Sequence, residues 1–462
     1  PGLHETLATA ATTMRNSQSV FLMVMWLWLN FMGGAGLVEK RKKVYRRLLW
    51  GLLAGGIIGL CLYVFFFFYR RIPDEIRLNV QETQQFDWGL PVSASFGGTS
   101  VYENSEAQGK EIHVNMAKPF SLWGKAEGNF VMRCRLFGVI PLKTVAVSVQ
   151  PRQYVTPGGI PIGIYLHTNG VLAIGTSPVT AFDGADLEPA RNIIRSGDYI
   201  EAVNGQTIGE KDALVEAVAA CGGESLVLGV RRDGEEMELK VTPVLCADGS
   251  YRLGIWVRDN TQGIGTLTYV DASDHFGALG HGINDIDTST LMEIDGGSVY
   301  EAEILSIVKG EKGTPGELMG MISYERSRKR GIIECNTTAG IYGTAEKTLL
   351  AACESQPVEV GLKQDIEIGP ASIRCCLDGT YREYGIQITE IRLSGDSVNK
   401  GIIFQVTDEA LLAATGGVIQ GMSGAPVFQN GRIVGAVTHV FVNDPTKGYG
   451  IFIENMLAQK FS

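Results

Sequence analysis

The sequence predicts a mainly β protein of several domains behind one apolar helix. The chain has 462 residues, which is enough for two or three domains. Its 58 glycines and 45% hydrophobic content suit globular β-rich modules with many turns. Short apolar runs separated by turn residues recur from residue 76 to the carboxy terminus. In the clearest of them, Leu136–Val149, apolar residues after Pro141 fall on every second position, as a half-buried strand requires.

The apolar helix is predicted from Leu48–Tyr69, which holds 22 residues without a charge and is long enough to cross a bilayer. Six Lys and Arg side chains lie between residues 40 and 47, against only Arg70 and Arg71 behind the run. The positive-inside rule therefore puts the amino end in the cytoplasm and the chain after residue 72 outside. The run is too long for a cleaved signal peptide, so residues 40–71 are interpreted as a retained signal anchor.

Residues 1–39 form an uncertain amino-terminal extension. Val20–Val38 is a second apolar stretch, and the chain begins with proline. Either this stretch is another membrane segment, or the true start lies downstream, for example at Met32, and the preceding residues are absent from the mature protein. The second interpretation is favoured.

Charge and cysteine spacing exclude several function classes. Residues 39–77 carry a net charge of +6 and residues 1–38 balance to zero, so the remainder carries −10 − 6 = −16. A body this acidic repels phosphate backbones, which argues against nucleic-acid binding. The eight cysteines form no C-x-x-C pair, so no metal is predicted. No glycine-rich phosphate loop followed by G-K-[ST] is present, and no cofactor is expected.

Two modules precede the carboxy-terminal domain. Residues 72–150 indicate a β-rich spacer without a catalytic signal. Residues 151–245 contain predicted strands, a helix over Lys211–Cys221 and the sequence G-D-x-I-x-x-V-N-G at Gly197–Gly205. This order resembles a bacterial-type PDZ domain, a fold that binds an extended carboxy-terminal peptide by adding it to a sheet edge. The resemblance implies that a loop presents backbone N–H groups to the peptide carboxylate; the residues expected there are Pro161, Ile162, Gly163 and Ile164.

A candidate nucleophile lies in Gly421–Pro426, where Ser423 stands in the sequence G-M-S-G-A-P ahead of two apolar strands around an Asn-Gly turn. Glycine allows a sharp backbone turn, so the N–H groups of Gly421 and Ser423 could converge on one oxyanion. The loop resembles the nucleophile loop of chymotrypsin-like proteases, and residues 246–462 are therefore expected to form a β-barrel peptidase domain.

A serine nucleophile needs a general base, and an imidazole is the usual choice near neutral pH. His281 stands between two glycines, where a tight backbone can place an imidazole at the end of a strand. His275 lies in a polar turn, and His439 alternates with apolar neighbours as a structural histidine would. His281 is the favoured base, with the other two as alternatives.

A third residue should orient the base and stabilise its cationic form. Asp408 ends an apolar strand fifteen residues before Ser423, whereas Asp285 and Asp287 follow His281 closely. The residues alone do not choose among these three.

The segments G-A-L-G-H-G-I, V-T-D, G-M-S-G-A-P and V-T-H-V-F-V-N-D-P-T together resemble the stage IV sporulation protein B peptidases of endospore-forming bacteria. The resemblance runs from about residue 40 to 462. It implies a catalytic triad of His281, Asp408 and Ser423. It also implies a role in sporulation signalling, in which the enzyme is exported to the space between the two membranes of the developing spore, processes itself and cleaves a regulator of an intramembrane protease complex. One departure is Met422, which stands where many chymotrypsin-like enzymes have an aspartate.

The sequence thus predicts a chymotrypsin-like β-barrel serine peptidase preceded by an α+β PDZ-like domain and a transmembrane helix. Its expected partners are a protein substrate at or near a membrane, a peptide carboxy terminus for the PDZ-like domain, and the membrane itself. The rival interpretation is a non-catalytic interaction platform built on the PDZ-like module.

Overall fold

The computed structural model describes residues 35–97, 101–102, 112–377, 379–393 and 397–459. It confirms a mainly β protein with a closed barrel and an apolar amino-terminal helix. The predicted apolar stretch Val20–Val38 falls largely outside the described residues, as does Met32.

The chain divides into two units, residues 1–70 and 71–462. The first contains one long helix, α1 (Ala35–Arg71). Within the described residues, its segment Val44–Arg71 is the one helix long and apolar enough to cross a membrane.

The spacer consists of two small sheets. A five-stranded sheet has the order β1-β8-β7-β3-β5 and a three-stranded sheet the order β2-β6-β4. The predicted strand Leu136–Val149 is divided in the structure, because Leu136 ends β7, a turn follows, and the remainder from Ile140 lies in β8. Gly124 of β6 lies directly against the side chain of Val149 in β8, because the absence of a Cβ lets the two sheets approach. The strands are β1 (Glu75–Asn79), β2 (Thr83–Phe86), β3 (Val92–Gly97), β4 (Val101–Tyr102), β5 (Ile112–Asn115), β6 (Phe120–Gly124), β7 (Gly128–Leu136) and β8 (Ile140–Gln150).

The PDZ-like module contains one helix, several short strands and the outer part of a long strand, β10. Its core includes Leu214 and Val218 of the helix, packed with Ile200 and Leu228 of the sheet. The predicted helix is present, and a hairpin turns at Asp233-Gly234. The elements are β11 (Val179–Thr180), β12 (Asp186–Leu187), β13 (Tyr199–Val203), β14 (Gln206–Thr207), α2 (Lys211–Ala220), β15 (Leu226–Arg232), β16 (Glu235–Val241), β17 (Val244–Leu245) and β18 (Tyr251–Arg252).

The first barrel has six strands, and the chain leaves it to form the PDZ-like module and then returns to it. Strand β10 pairs with both β19 and β21, and the ring closes through β23, β24 and β20. Its core includes Ile162, Ile164, Phe276 and Ile333. The elements are β9 (Tyr154–Pro157), β10 (Pro161–Thr176), β19 (Ile255–Val270), β20 (His275–Ala278), β21 (Ile294–Val308), β22 (Glu317–Ile322), β23 (Lys329–Thr337), β24 (Gly340–Ala345), α3 (Lys347–Ala352) and a 3₁₀ turn at Arg326–Arg328.

The residues that form this barrel do not match the predicted domain boundaries. The sequence predicts a PDZ-like domain over residues 151–245 and a peptidase domain over 246–462. In the structure β9 and the first half of β10 belong to the barrel, because they pair with β19 and β21 rather than with the module. The module is therefore an insertion between the first and second strands of the barrel.

The second barrel is built from one continuous segment. It has the closed strand order β26-β27-β28-β31-β30-β29 and a core that includes Ile388, Phe404 and Val427. The elements are β25 (Val358–Glu359), a 3₁₀ turn at Lys363–Asp365, β26 (Gly369–Cys376), β27 (Tyr381–Ile391), β28 (Ile402–Val406), α4 (Glu409–Thr415), β29 (Pro426–Gln429), β30 (Arg432–Val440), β31 (Lys447–Phe452) and α5 (Ile453–Leu457).

Candidate active site

The loop that carries Ser423 lies between the barrels. Gly421 and Gly424 have backbone φ angles of +94° and +96°, values that residues with a side chain rarely adopt. A Cβ at Gly424 would clash with the carbonyl oxygen of Thr266 in the first barrel. The glycines on either side of Ser423 are therefore required by backbone conformation and close approach.

Thr266 of β19 holds this loop from the first barrel. Its hydroxyl donates to the carbonyl of Gly421 at 2.7 Å, and its amide donates to the carbonyl of Ser423 at 3.0 Å. Gly424 is held from the second barrel, where its amide donates to the carbonyl of Val437 at 2.7 Å. The first barrel thus holds Gly421 and Ser423, and the second holds Gly424.

Two backbone donors of the loop remain available. In the described part of the chain, the amides of Gly421 and Ser423 donate to no other backbone group, whereas Met422 donates to Ile419. The peptides that carry these two N–H groups are restrained, because the carbonyl of Gln420 accepts from the Leu318 amide and the carbonyl of Met422 from the Ala425 amide, each at 2.9 Å. Such fixed N–H groups are what an oxyanion hole requires.

The Ser423 hydroxyl donates to the carbonyl of Thr438, in β30, at 2.7 Å. Thr438 is 1% exposed, and its own hydroxyl donates to the carbonyl of Asn399. Ser423 therefore points to the end of β30 and forms no hydrogen bond with an imidazole in this arrangement. It must turn away from Thr438 to reach a base.

His281 approaches the same end of β30. A Cβ at the preceding Gly280 would lie 3.0 Å from the Thr438 methyl group, and a Cβ at Gly282 would lie 2.6 Å from the carbonyl oxygen of Thr337. The two glycines therefore allow the His281 loop to pack tightly against both barrels, in agreement with the reason given for them from the sequence.

The His281 ring is held through Nδ1, which lies 2.9 Å from the carbonyl oxygen of Gly282. A carbonyl can only accept, so Nδ1 carries the proton and Nε2 keeps its lone pair. Burial lowers the pKa of His281, with the Gly282 carbonyl opposing part of that shift. The imidazole is consequently neutral near pH 7, the form that a general base needs.

His439 lies beside His281, with the ring centroids 4.8 Å apart. Burial, the neighbouring His281 and Lys400 lower the pKa of His439 to about 4. Its Nδ1 is buried and has no hydrogen-bond partner among the residues that the structure describes. The sequence suggested a structural histidine here, but the structure places it next to the candidate base. Only its position after the nucleophile hairpin could have indicated this.

None of the three candidate aspartates reaches His281. Asp408 is the N-cap of α4: one carboxylate oxygen accepts from the amide of Leu411 at 3.0 Å and the other from Gly385 at 3.4 Å. Asp285 is buried, pairs with Arg258 and accepts from two amides of its own turn. Asp287 pairs with the same arginine at 2.9 Å.

The expected orienting role of Asp408 is therefore corrected by the structure. The partner of the His281 Nδ1 is a backbone carbonyl, and the Asp408 carboxylate is used to begin the helix that leads into the nucleophile loop. His275, the other alternative base, lies at the opposite end of β20 and pairs with Asp271 at 3.4 Å.

The predicted peptide-binding residues are also corrected. Pro161, Ile162, Gly163 and Ile164 lie in β10, paired on one side with β19 and on the other with β21. Neither edge is free to receive a peptide strand. Ile162 and Ile164 are buried in the first barrel.

The PDZ-like module has an open groove at a different place, beside its helix. A cleft of about 670 Å³ runs between α2 and the start of β19. Val215 of the helix is 57% exposed there and Trp256 of the strand is 63% exposed. Tyr251–Gly254, which comprises β18 and the two residues after it, also lines the cleft. Its sequence, Y-R-L-G, is the signal that could have located the groove.

Comparison with known proteins identifies the carboxy-terminal region. Residues 249–457 match the family model described as SpoIVB peptidase S55. This confirms the predicted family over that region. The matched region contains both His281 and Ser423.

Other similarities are partial. Over 68 residues the chain is 43% identical to a protein of Lactococcus lactis named as putative zinc metalloprotease LL2128. The aligned segment covers 14% of this chain and 16% of that protein. The chain thus spans about one sixth of that relative's length.

Solved structures give weak similarities. The PDZ domain of the SdrC-like protein from Listeria monocytogenes matches with a TM-score of 0.16 and 14% identity, over 19% of this chain and 87% of that one. The active form of the Rv3671c protease from M. tuberculosis matches with a TM-score of 0.25 and 16% identity, over 43% and 73%. The HtrA-type protease AlgW with decapeptide matches with a TM-score of 0.25 and 14% identity, over 43% and 52%. Similarity at this level carries no information on activity.

Proposed function

We propose that this protein is a membrane-anchored serine endopeptidase in which Ser423 is the nucleophile and His281 the general base. The observation that carries the proposal is the meeting of the two residues at the end of β30, with Ser423 bonded to Thr438 and His281 packed beside His439. A glycine-flanked imidazole with a free Nε2 and a serine beside two unused amides are together sufficient for acyl transfer.

Catalysis then begins when the Ser423 hydroxyl leaves the Thr438 carbonyl and turns to Nε2 of His281. The imidazole takes the hydroxyl proton as Oγ bonds to the scissile carbonyl carbon. The amides of Gly421 and Ser423 receive the oxyanion. The imidazolium returns the proton to the leaving amine, and water repeats the sequence to release the acyl group. Asp408 contributes at a distance, by capping α4 ahead of the nucleophile loop.

We propose further that the open groove of the PDZ-like module binds an extended peptide end. Apolar side chains of α2 and β19 line it, which fits an apolar residue near the peptide terminus. Strand β19 supports a gating role, because it lines the groove at Ile255–Val257 and holds the nucleophile loop at Thr266. A ligand in the groove therefore acts on one end of a strand whose other end touches the active site.

The family resemblance supports a role in sporulation signalling. In that role the catalytic unit works outside the cytoplasmic membrane, in the space between the two membranes of the developing spore, where it cleaves itself and a membrane-associated regulator of an intramembrane protease complex. An apolar anchor preceded by six basic residues fits this orientation.

The proposal is tested by incubating the purified full chain and its Ser423→Ala variant and following both by mass spectrometry. We expect self-cleavage fragments from the wild-type chain and none from the folded variant. Equal cleavage of both would refute the assignment of Ser423 and favour the alternative, a non-catalytic PDZ-type platform.

A further inference from the structure

The oxyanion loop lacks a charged anchor. The residue before Ser423 is Met422, which is fully buried in the core of the second barrel. An apolar side chain cannot fix a loop by an ion pair. The conformation of Gly421, whose amide is one of the two proposed oxyanion donors, must be set by other contacts.

The hairpin formed by β21 and β22 of the first barrel makes those contacts. The amide of Leu318 donates to the carbonyl of Gln420 at 2.9 Å, and the amide of Gln420 donates to the carbonyl of Gly316 at 2.8 Å. These two bonds form a parallel bridge to the residue directly before Gly421. The tip of the hairpin adds bonds from Gly310 to Thr415 and from Gly313 to Val442, each 2.8 Å long.

The Leu318 side chain completes the support. It is 5% exposed and lies against the backbone of Gly421: a Cβ on that glycine would lie 2.9 Å from the Cβ of Leu318 and 3.1 Å from its Cδ1. At a φ of +94° Gly421 has no side chain of its own to limit its backbone conformation, so contacts from neighbouring residues must do so. Leu318 packs on the face of Gly421 where a side chain would lie.

We propose that Leu318 is a positioning residue for the oxyanion hole, and that the β21–β22 hairpin holds Gly421 in its donating conformation. This inference rests on the proposed function of Ser423 and extends it by naming what orients one of the two donors. The neighbouring Met319 and Met321 are 50% and 54% exposed, so they lie on the surface of the hairpin. Met319 is therefore a matched control, one residue away.

The test compares two small substrates on the full chain, p-nitrophenyl acetate and its thiono analogue. In both, Ser423 attacks the carbonyl or thiocarbonyl carbon and p-nitrophenolate leaves, so the acylation burst is read from the released phenolate. Sulfur accepts hydrogen bonds more weakly than oxygen, and only the oxygen ester gains fully from an oxyanion hole. The ratio of the two rates thus reports the position of the donors.

We expect Leu318→Ala to lower oxygen-ester acylation by about 10–100-fold and thionoester acylation by less than about 3-fold. Leu318→Met should restore the wild-type ratio, and Met319→Ala should leave it unchanged. Should Leu318→Ala fail to unfold cooperatively, the same ratio measured on Leu318→Val decides.

An equal loss with both esters, or no loss with either, would overturn the proposal, because either result means that Leu318 does not act on the oxyanion donors. A wild-type chain without a burst that depends on Ser423 would instead refute the proposed function on which the inference rests. The two failures are therefore distinguishable.

Discussion

The two barrels of the peptidase differ in how the chain builds them. The second uses one segment, Gly369–Phe452, and carries Ser423. The first begins with β10, is interrupted by the PDZ-like module, resumes with β19 and carries His281. Ser423 and His281 thus lie on different barrels. Only the barrel of His281 is continuous along the chain with the PDZ-like module that holds the proposed peptide groove. The difference implies that changes at the boundary between the two barrels should remove chemistry, whereas changes in the module should redirect it.

The largest expected effect outside Ser423 itself is that of His281→Ala. Because the nucleophile and base act as a unit, loss of one costs about as much as loss of both, and self-cleavage should fall close to the background of Ser423→Ala. The measurement is the rate of fragment appearance in the single and double variants. A double variant much slower than His281→Ala would contradict the idea that the two residues act together.

Asp408 gives the next comparison, between Ala and Asn at one position. Asparagine caps helices about as well as aspartate, whereas alanine costs about 1 kcal/mol at an N-cap. We therefore expect Asp408→Asn to keep most of the activity and Asp408→Ala to lose stability and activity together. The readouts are the denaturation midpoint and the rate of p-nitrophenyl acetate acylation. If Asp408→Asn retained its stability but lost activity by about 10⁴-fold, an orienting role toward His281 would be restored.

The sequence predicted the second barrel better than the first for a physical reason. The strands of the second barrel pair mostly with neighbours along the chain, so alternation and turn residues were enough to indicate the hairpin after Ser423. Strand β10 pairs with β19 almost a hundred residues later. No local pattern encodes that pairing, so Pro161–Ile164 was assigned to a loop of the module.

The site was predicted in the same uneven way. The glycines around Ser423 and His281 are local requirements of a tight backbone and were recognised from the sequence. The contacts from Thr266, Thr438 and Leu318 join segments distant along the chain, and none of these residues has a sequence signature. The role of Asp408 could not be deduced from the sequence, because an aspartate just before a helix looks the same in a sequence whether it caps the helix or orients a histidine.

Within the module, Val215→Glu should sharpen the comparison. The new carboxylate would stand on the exposed face of α2 in the apolar groove and exclude an apolar peptide end. We expect altered timing or selectivity of protein cleavage, with acylation by p-nitrophenyl acetate within about 2-fold of wild type. Glu216→Gln, on the same helix, serves as a control. Loss of small-ester acylation in folded Val215→Glu would mean that the module supports the active site itself.

Gly163, which the sequence predicts to lie in a peptide-binding loop, does not offer a test of the groove. A side chain on Gly163 would clash with Ile322 inside the first barrel. A bulky residue there is therefore expected to disrupt the fold rather than to block a ligand, and it says nothing about gating.

The smallest expected effect is on stability. The pKa of His439 is lowered to about 4 in the folded protein, against about 6.5 in an unfolded chain. The unfolded state binds the additional proton between these values, so His439 should destabilise the fold progressively as the pH falls from 6.5 to 4. A shift of this size corresponds to about 3 kcal/mol of unfolding free energy. Because the imidazole is partly exposed and solvent screens it, the wild-type chain should lose roughly 1–2 kcal/mol over this interval relative to His439→Gln. Parallel pH profiles for the two proteins would show that the imidazole is not buried as described.

The central claim, that Ser423 is activated across the barrel boundary by a neutral His281, is tested most directly by labelling with a fluorophosphonate. The full chain is treated at a series of pH values and the adduct is located by peptide mass spectrometry. We predict a single adduct, on Ser423. Its rate of formation should stay at the plateau value to below pH 6.5, because burial lowers the pKa of His281. In His281→Ala the rate should fall to near zero. Labelling of Ser423 at the same rate in His281→Ala, or an adduct on another serine, would contradict the account.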